Sequence, residues 1–310
     1  MPAWLTRHPR DWQPGTLDRE ALYAQAEAVY AAADHMASAR RLAGALLGYL
    51  DGMPVARRVV RDMPMYLLLG ASMYLHHRRD PGDPDSGVSL KALRALFTQP
   101  GRPGPYAGDS HLRDMLAWAR LSGLLERAPD AGGARRVQRF RPTPPMEDMF
   151  RGWVLAFMRG SALLLVPPAP LDALPAARTA YEVLSYRISG YLRDGFVLTE
   201  RHPFIHQLMM RRHGYHVFLS LMEGLRSENG GVVAPVTVSG LAQRFDVARG
   251  TVRNTLEMAQ QAGHLRFDGA AGLVALEPAF AQQALRWMAL EALWMNGLTA
   301  AALQPASSSP

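Results

Sequence analysis

The chain has 310 residues, of which 48% are hydrophobic and 20% charged, so it has the composition of a globular protein and the length for two domains, each with its own core. It contains no cysteine, which excludes disulfides, thiolate nucleophiles and cysteine-ligated metal sites. Its net charge of +7 favours a polyanionic partner such as nucleic acid, whereas a GC-rich genome would explain the abundance of arginine but not the positive balance.

Residues 1–20 are predicted to form an N-terminal arm, because they show no helical period. Their opening sequence, MPAWLTRHPRDWQPG, has charges and prolines where a signal peptide needs a continuous apolar run. The most apolar later stretch, residues 153–168, is too short to span a bilayer and contains Arg159. We therefore expect a cytoplasmic, nucleoid-associated protein with no membrane partner, whose arm either binds a groove or packs on another part of the chain.

A helix that ends at a glycine is predicted twice. Residues 48–52 (GYLDG) recur as residues 190–195 (GYLRDG). The apolar residues before them keep helical spacing in step, namely Leu42 with Leu184 and Leu46 with Ile188. Both copies are expected to place the final glycine, Gly52 or Gly195, in the left-handed cap position.

Further matches downstream indicate that a whole unit is duplicated. Two blocks of residues match, each with a constant difference in residue number. In the first block, Leu90, Leu93 and Phe97 match Val238, Leu241 and Phe245. In the second block, Leu112, Arg113, Leu116, Ala119, Gly123 and Leu125 match Val252, Arg253, Leu256, Ala259, Gly263 and Leu265. Between these blocks the first copy has a longer Pro- and Gly-rich connection, residues 98–109. We predict two repeats, 21–165 and 176–298, joined by a stiff Pro-rich linker at 166–175 and followed by a disordered tail at 299–310.

Residues 236–280 carry the most informative pattern. Val238, Leu241 and Phe245 give one short amphipathic helix, and a second with the same period follows after a short turn. Residues 264–267 and 273–276 flank a Gly-rich turn and predict a hairpin. The chain is therefore predicted to be mainly α, with two tandem winged helix-turn-helix units that carry small β-hairpin wings and are related as a pseudo-two-fold duplicate.

The segment 241–256 (LAQRFDVARGTVRNTL) resembles the helix-turn-helix of GntR-type and MarR-type bacterial transcription regulators. The resemblance extends over residues 236–280 and, more weakly, over the first copy. It implies that the second helix enters the major groove with its N-terminal residues at the base edges. The chain departs from the pattern at Asp246, where these families usually have Gly or Asn, and a carboxylate there would face DNA if the turn approached a phosphate.

The resemblance implies DNA contacts at the matching positions of both copies. In the second copy these are Ala248, Arg249, Thr251, Arg253 and Asn254, and in the first copy Ser110, His111, Arg113 and Asp114. Arginine can bridge two acceptors of guanine and asparagine can bridge adenine, so several of these side chains suit direct readout. The insertion in the first copy could re-aim or disable its reading helix.

Arginines are concentrated on the predicted first wing. Arg127, Arg135, Arg136, Arg139 and Arg141 bracket a turn at residues 130–133. Such a hairpin could straddle phosphates, and a solvated charged face is the alternative. The second wing is uncharged apart from Arg266 and Asp268, so we expect it to contribute little.

Other constellations favour structural roles. His202, His206, His213 and His216 would share a face of one helix, but Pro203 and Gly214 interrupt it, which favours surface or core histidines over a metal site. The chain has no phosphate-binding loop, nucleophile elbow or metalloprotease motif, so we expect neither catalysis nor a cofactor. The many methionines most simply fill irregular cores, with a flexible effector pocket as the alternative.

The sequence thus predicts a sequence-specific double-stranded-DNA-binding transcription regulator that is not an enzyme. Repression is favoured, because occluding a promoter needs only tight binding. The alternatives are a plasmid-type replication initiator, which also joins two winged helices in one chain, and a winged-helix adaptor that binds proteins. A small-molecule or protein effector is left open, as is the choice between a pseudo-two-fold monomer and a homodimer.

Overall fold

The computed structural model describes residues 1–32, 34–80, 82–83, 86–97, 107–129, 138–164 and 177–304. These residues are mainly α-helical and include two small antiparallel sheets, which confirms the predicted fold class at this level. The predicted linker at 166–175 lies outside the described residues. So do residues 98–106, which make up most of the connection at 98–109.

The first half of the chain consists of helices and one three-stranded sheet, and most of the helices precede the last two strands of that sheet. Its elements are α1 (Arg19–Ala32), α2 (His35–Gly52), α3 (Pro54–Val59), α4 (Met63–His77), β1 (Val88–Ser89), α5 (Leu90–Phe97), α6 (Asp109–Leu121), β2 (Leu125–Arg127), β3 (Arg139–Pro142) and α7 (Pro144–Gly160). Asp34 and Asp62 begin α2 and α4 as side-chain caps, because each carboxylate accepts a backbone N–H of the first turn. β3 is the central strand and pairs with β1 and β2.

The second half repeats the order of elements that runs from α2 to α7, and it adds one strand. Its elements are α8 (Ala177–Arg193), α9 (Pro203–Met210), α10 (Gly214–Glu223), β4 (Arg226–Glu228), β5 (Gly231–Ala234), α11 (Val238–Phe245), α12 (Arg249–Gln261), β6 (Leu265–Asp268), β7 (Leu273–Leu276) and α13 (Pro278–Leu303). Its sheet order is β4-β5-β7-β6, so β5, β7 and β6 correspond to β1, β3 and β2. Among the described elements, those from α2 to α7 match those from α8 to α13 once β4 is set aside.

The two halves pack reciprocally. α2 of the first half lies against α10 of the second, and α8 of the second lies against α4 of the first. α7 likewise contacts α8, and α13 contacts α2. A Cβ built on Gly70 of α4 would lie 2.5 Å from Ile188 Cδ1, so α4 and α8 approach closely. The expectation that each repeat buries its own core is therefore wrong, because the helices of one half complete the core of the other.

The arm and the first residues of the predicted tail both pack against the rest of the described chain. In the arm, Trp4 stacks on Trp294 with ring centroids 5.2 Å apart, and Trp12 Nε1 donates to Asp194 Oδ2 at 2.7 Å. Of the two roles predicted for the arm, packing on the other half is therefore the one observed. Disorder from residue 299 is wrong for residues 299–303, because α13 continues to Leu303 and buries Thr299 fully, while residues 305–310 lie outside the described residues.

The two predicted glycine caps differ. Gly195 has a φ of +61°, in the left-handed region. Gly52 does not, because it is the last residue of α2 and Pro54 starts α3 two residues later. The prediction of a left-handed cap is thus wrong for the first copy. Because α3 starts directly after α2, the chain has no room for a left-handed turn between them. No helix of the described residues is long and apolar enough to cross a membrane.

Candidate nucleic-acid interface

α11 and α12 form a pair of short helices held by a single buried layer. Thr237 caps α11 through its hydroxyl, which accepts the N–H of Gly240 at 3.0 Å. Leu241 and Phe245 of α11 are buried, as are Val252 and Leu256 of α12, at the positions that the helical period predicts. Three residues join the helices, so the start of α12 is fixed relative to α11.

Asp246 makes the turn between these helices possible. Its φ of +56° lies in the left-handed region, which Asp tolerates better than most residues. Its carboxylate is not free, because Arg58 Nη2 of α3 donates to Oδ2 at 2.7 Å. The residue that departs from the resembled pattern thus takes the same backbone conformation that Gly or Asn would, with its charge compensated by the other half.

The residues predicted to read DNA in the second copy lie on the outside of α12. Ala248, Arg249, Arg253 and Asn254 are exposed and Thr251 is half-buried. Neither Arg249 nor Arg253 forms an ion pair with any described residue. Ala248 caps the helix without a side-chain hydrogen bond, and only the N–H of Thr251 in the first turn donates to the Ala248 carbonyl, at 2.9 Å, so the N–H groups of Arg249 and Gly250 have no cap. This end of α12 therefore presents two uncompensated guanidinium groups and the positive end of a helix dipole.

The corresponding end of α6 in the first copy is compensated. Ser110, His111, Arg113 and Asp114 are exposed as predicted. However, Arg113 Nη2 lies 2.9 Å from Asp109 Oδ2, and Arg94 Nε lies 2.5 Å from Asp109 Oδ1. The starts of α12 and α6 therefore differ in charge, although the two helices occupy matching places in the order of elements.

Each of the two hairpins has an arginine that is paired with a glutamate. In the first, Arg141 Nε is 2.6 Å from Glu126 Oε1 and Arg139 is half-buried on β3, while Arg135 and Arg136 lie outside the described residues. In the second, Arg266 pairs with Glu277 at 3.1 Å. Arg141 and Arg266 of the hairpins are therefore paired with carboxylates, whereas Arg249 and Arg253 of α12 are exposed without an ion pair among the described residues.

Arg244 is a residue that the sequence did not single out. Its Nη2 lies 2.8 Å from Asp51 Oδ2 of α2, and its Nη1 lies 2.5 Å from Glu223 Oε2 of α10. It thereby ties α11 to a helix from each half. Since 193 positions separate Arg244 from Asp51, no local pattern signals this contact.

The hairpin formed by β4 and β5 was also missed, although it leaves a sequence signal. Asn229 and Gly230 join the strands with φ values of +51° and +76°. Asn-Gly is the dipeptide that favours a two-residue turn of this kind. The extra strand widens the sheet that supports α11 and α12.

Of the histidines noted in the sequence, His202, His213 and His216 are buried and His206 is half-buried. α9 ends at Met210 and α10 begins at Gly214, so they do not share one helix. Burial lowers the pKa of His202 and of His213 to about 4, and that of His216 to about 3. In the described parts of the chain, no group of three or more His, Asp or Glu residues is placed to hold a metal ion.

Comparisons of the chain with protein-family models, with curated proteins and with solved structures gave no match.

Proposed function

We propose that the chain is a sequence-specific double-stranded-DNA-binding transcription regulator made of two winged helix-turn-helix units, with α12 as its main reading helix. The observation that carries this proposal is the pair of exposed arginines, Arg249 and Arg253, without ion-pair partners among the described residues at the start of α12. They are four residues apart and so share one side of the helix.

The chemistry of this surface suits duplex DNA. A guanidinium group can bridge O6 and N7 of guanine, and Asn254 can bridge the edge of adenine. The uncapped N–H groups at the helix start suit a phosphate oxygen. The pairing of Asp246 with Arg58 supports the proposal further, since it compensates the carboxylate in the turn before α12.

The matching order of elements and the reciprocal packing support a pseudo-two-fold arrangement within one chain. In dimeric regulators, two-fold symmetry places two reading helices on successive turns of DNA. Here the two ends differ, because Asp109 compensates the arginines near α6. We therefore infer that the chain reads an asymmetric site, in which the half contacted by α12 is specified more strongly. Repression is the favoured outcome, since an occupied promoter is blocked by tight binding alone.

Mapping of occupied genomic sites, followed by binding to the motif found, tests this function. Parent affinity should fall with salt, with a log–log slope of about −0.9 for each neutralised phosphate. Arg249→Ala and Arg253→Ala should each raise Kd by roughly 5- to 150-fold and relax the sequence preference. Sites that overlap promoters support regulation, whereas iterated sites beside a replication origin would indicate an initiator.

Two further variants separate base reading from general charge. Arg253→Lys keeps the charge but loses the bidentate geometry, so it should lose specificity while keeping most non-specific affinity. Arg159→Ala is the matched control, because Arg159 is an exposed arginine on α7, away from α12. The proposal fails if Arg249→Ala and Arg253→Ala bind the mapped site as tightly as Arg159→Ala does.

A further inference from the structure

A cavity of about 80 Å³ lies where the two halves meet. Matching residues of both halves line it. Tyr49 and Tyr191 are each the fifteenth residue of α2 and α8, and Trp153 and Trp287 are each the tenth residue of α7 and α13. The cavity therefore lies in the core that the halves share, and seven aromatic residues contribute to its lining.

One buried ion pair of the second half has no counterpart in the first half. Arg187 of α8 is 5% exposed and Glu291 of α13 is 2% exposed, and Arg187 Nη2 donates to Glu291 Oε1 at 2.6 Å. The equivalent positions of the first half hold Ala45 in α2 and Phe157 in α7. The packing of these helices therefore does not require an ion pair, because the first half forms the same elements with two apolar residues.

The pair has unused hydrogen-bonding groups beside the cavity. Nε and Nη1 of Arg187 and Oε2 of Glu291 are buried and make no hydrogen bond of normal geometry with the described residues. The guanidinium carbon lies 5.2 Å from the ring centre of Trp153 and 5.6 Å from that of Tyr191. Buried polar groups are almost always satisfied by protein groups or by ordered water, so these donors and this acceptor mark a place where a bound molecule could form hydrogen bonds.

We propose that this cavity binds a small uncharged molecule that consists of one aromatic ring with a hydroxyl group. A hydroxyl accepts from Arg187 and donates to Glu291, so it satisfies one of the two unused donors and the unused acceptor at once. The ion pair is already neutral, and an anionic ligand would add an uncompensated buried charge. The aromatic residues of the lining suit a ring, and the small volume excludes a ligand larger than one ring. This inference goes beyond the proposed DNA-binding function and does not depend on it.

Phenol is the probe for the full-length protein, with toluene and benzoate as comparisons. Trp153 and Trp287 line the cavity, so their fluorescence, excited where phenol does not absorb, reports occupancy. Phenol should quench saturably and raise the unfolding temperature. Toluene lacks the hydroxyl and should bind on the order of tenfold more weakly, and benzoate should not bind. Equal binding of phenol and toluene, or no saturable change with phenol, would overturn the proposal.

The double variant Arg187→Ala with Glu291→Phe tests the assignment to this cavity. It installs the residues that the first half already accommodates, and we expect it to fold and to lose phenol binding. A folded double variant that binds phenol like the parent contradicts the proposal. If the variant does not fold, a crystal of the parent protein soaked in phenol decides. A ring whose oxygen contacts Arg187 and Glu291 supports the proposal, and a cavity that holds only water refutes it.

Discussion

Arg58 and Asp246 form an ion pair between the two halves: Arg58 Nη2 donates to Asp246 Oδ2 at 2.7 Å, although 188 positions separate the residues. Asp246 also adopts the left-handed conformation that ends α11. One residue therefore shapes the turn before the proposed reading helix, and a residue from the other half compensates its charge.

Asp246→Asn should strengthen DNA binding several-fold, because Asn keeps the left-handed turn and removes a negative charge near α12. Stability should change by less than about 1 kcal/mol, since both side chains of the pair are more than half exposed. Asp246→Ala should instead lose about 1 to 2 kcal/mol, because alanine strains the turn. Anisotropy with the mapped site and urea unfolding measure the two effects. Weaker DNA binding by Asp246→Asn would show that the carboxylate does not oppose the DNA.

Arg244→Ala should destabilise the protein by about 2 kcal/mol, since it leaves Asp51 and Glu223 without their shared partner in a partly buried place. Amide exchange should quicken in α11 and α12 before it does in α2. Arg266→Ala is the matched control, because it also removes an arginine from an ion pair, but from an exposed one, and it should cost less than about 0.5 kcal/mol. Equal losses of stability in both variants would contradict the role of Arg244 in holding α11 against α2 and α10.

The free energy of unfolding should decrease as the pH falls, and the protonation of His216 should account for part of this decrease. Burial lowers the pKa of His216 to about 3, so the folded protein holds it neutral, while in the unfolded chain it titrates near 6.5. Its contribution is therefore complete above pH 6.5 and is lost as the pH falls from there toward 3. His216→Leu should flatten this part of the stability profile. The measurement is urea unfolding of parent and variant across that range, and parallel profiles would contradict the prediction.

Gly297→Ala should destabilise the protein, because a Cβ at this position would overlap the ring of Trp4 and displace the arm. The expected cost is about 1 to 3 kcal/mol, as in other overpacked cores. Gly48→Ala is the control, since it lies in α2 with open space around it and should gain up to about 1 kcal/mol of helix propensity. Thermal unfolding compares the two. A neutral Gly297→Ala would mean that the arm is not held as the structure places it.

The local sequence predicts what is held by local contacts. The apolar period places Leu241, Phe245, Val252 and Leu256 correctly, and the exposure of Arg249 on the opposite side follows from the same period. Both depend only on neighbours within about two helical turns.

Contacts between distant residues could not be predicted in this way. Arg58 with Asp246, Arg244 with Asp51 and Arg187 with Glu291 all join positions more than a hundred residues apart. The choice between the two roles of the arm stayed open for the same reason, because the partners of Trp4 and Trp12 lie in the second half, far along the chain. The end of α13 was misjudged because its alanines read as low complexity, whereas small residues suit a closely packed helix.

The exchange of helices between the halves has a consequence for synthesis on the ribosome. A nascent chain that has emerged only to residue 165 carries α2 and α4 without α10 and α8, their packing partners. The apolar faces of the first half must therefore stay uncovered until α8 and α10 have been translated. An N-terminal fragment released early should be a substrate for chaperones and proteases rather than a working half-molecule.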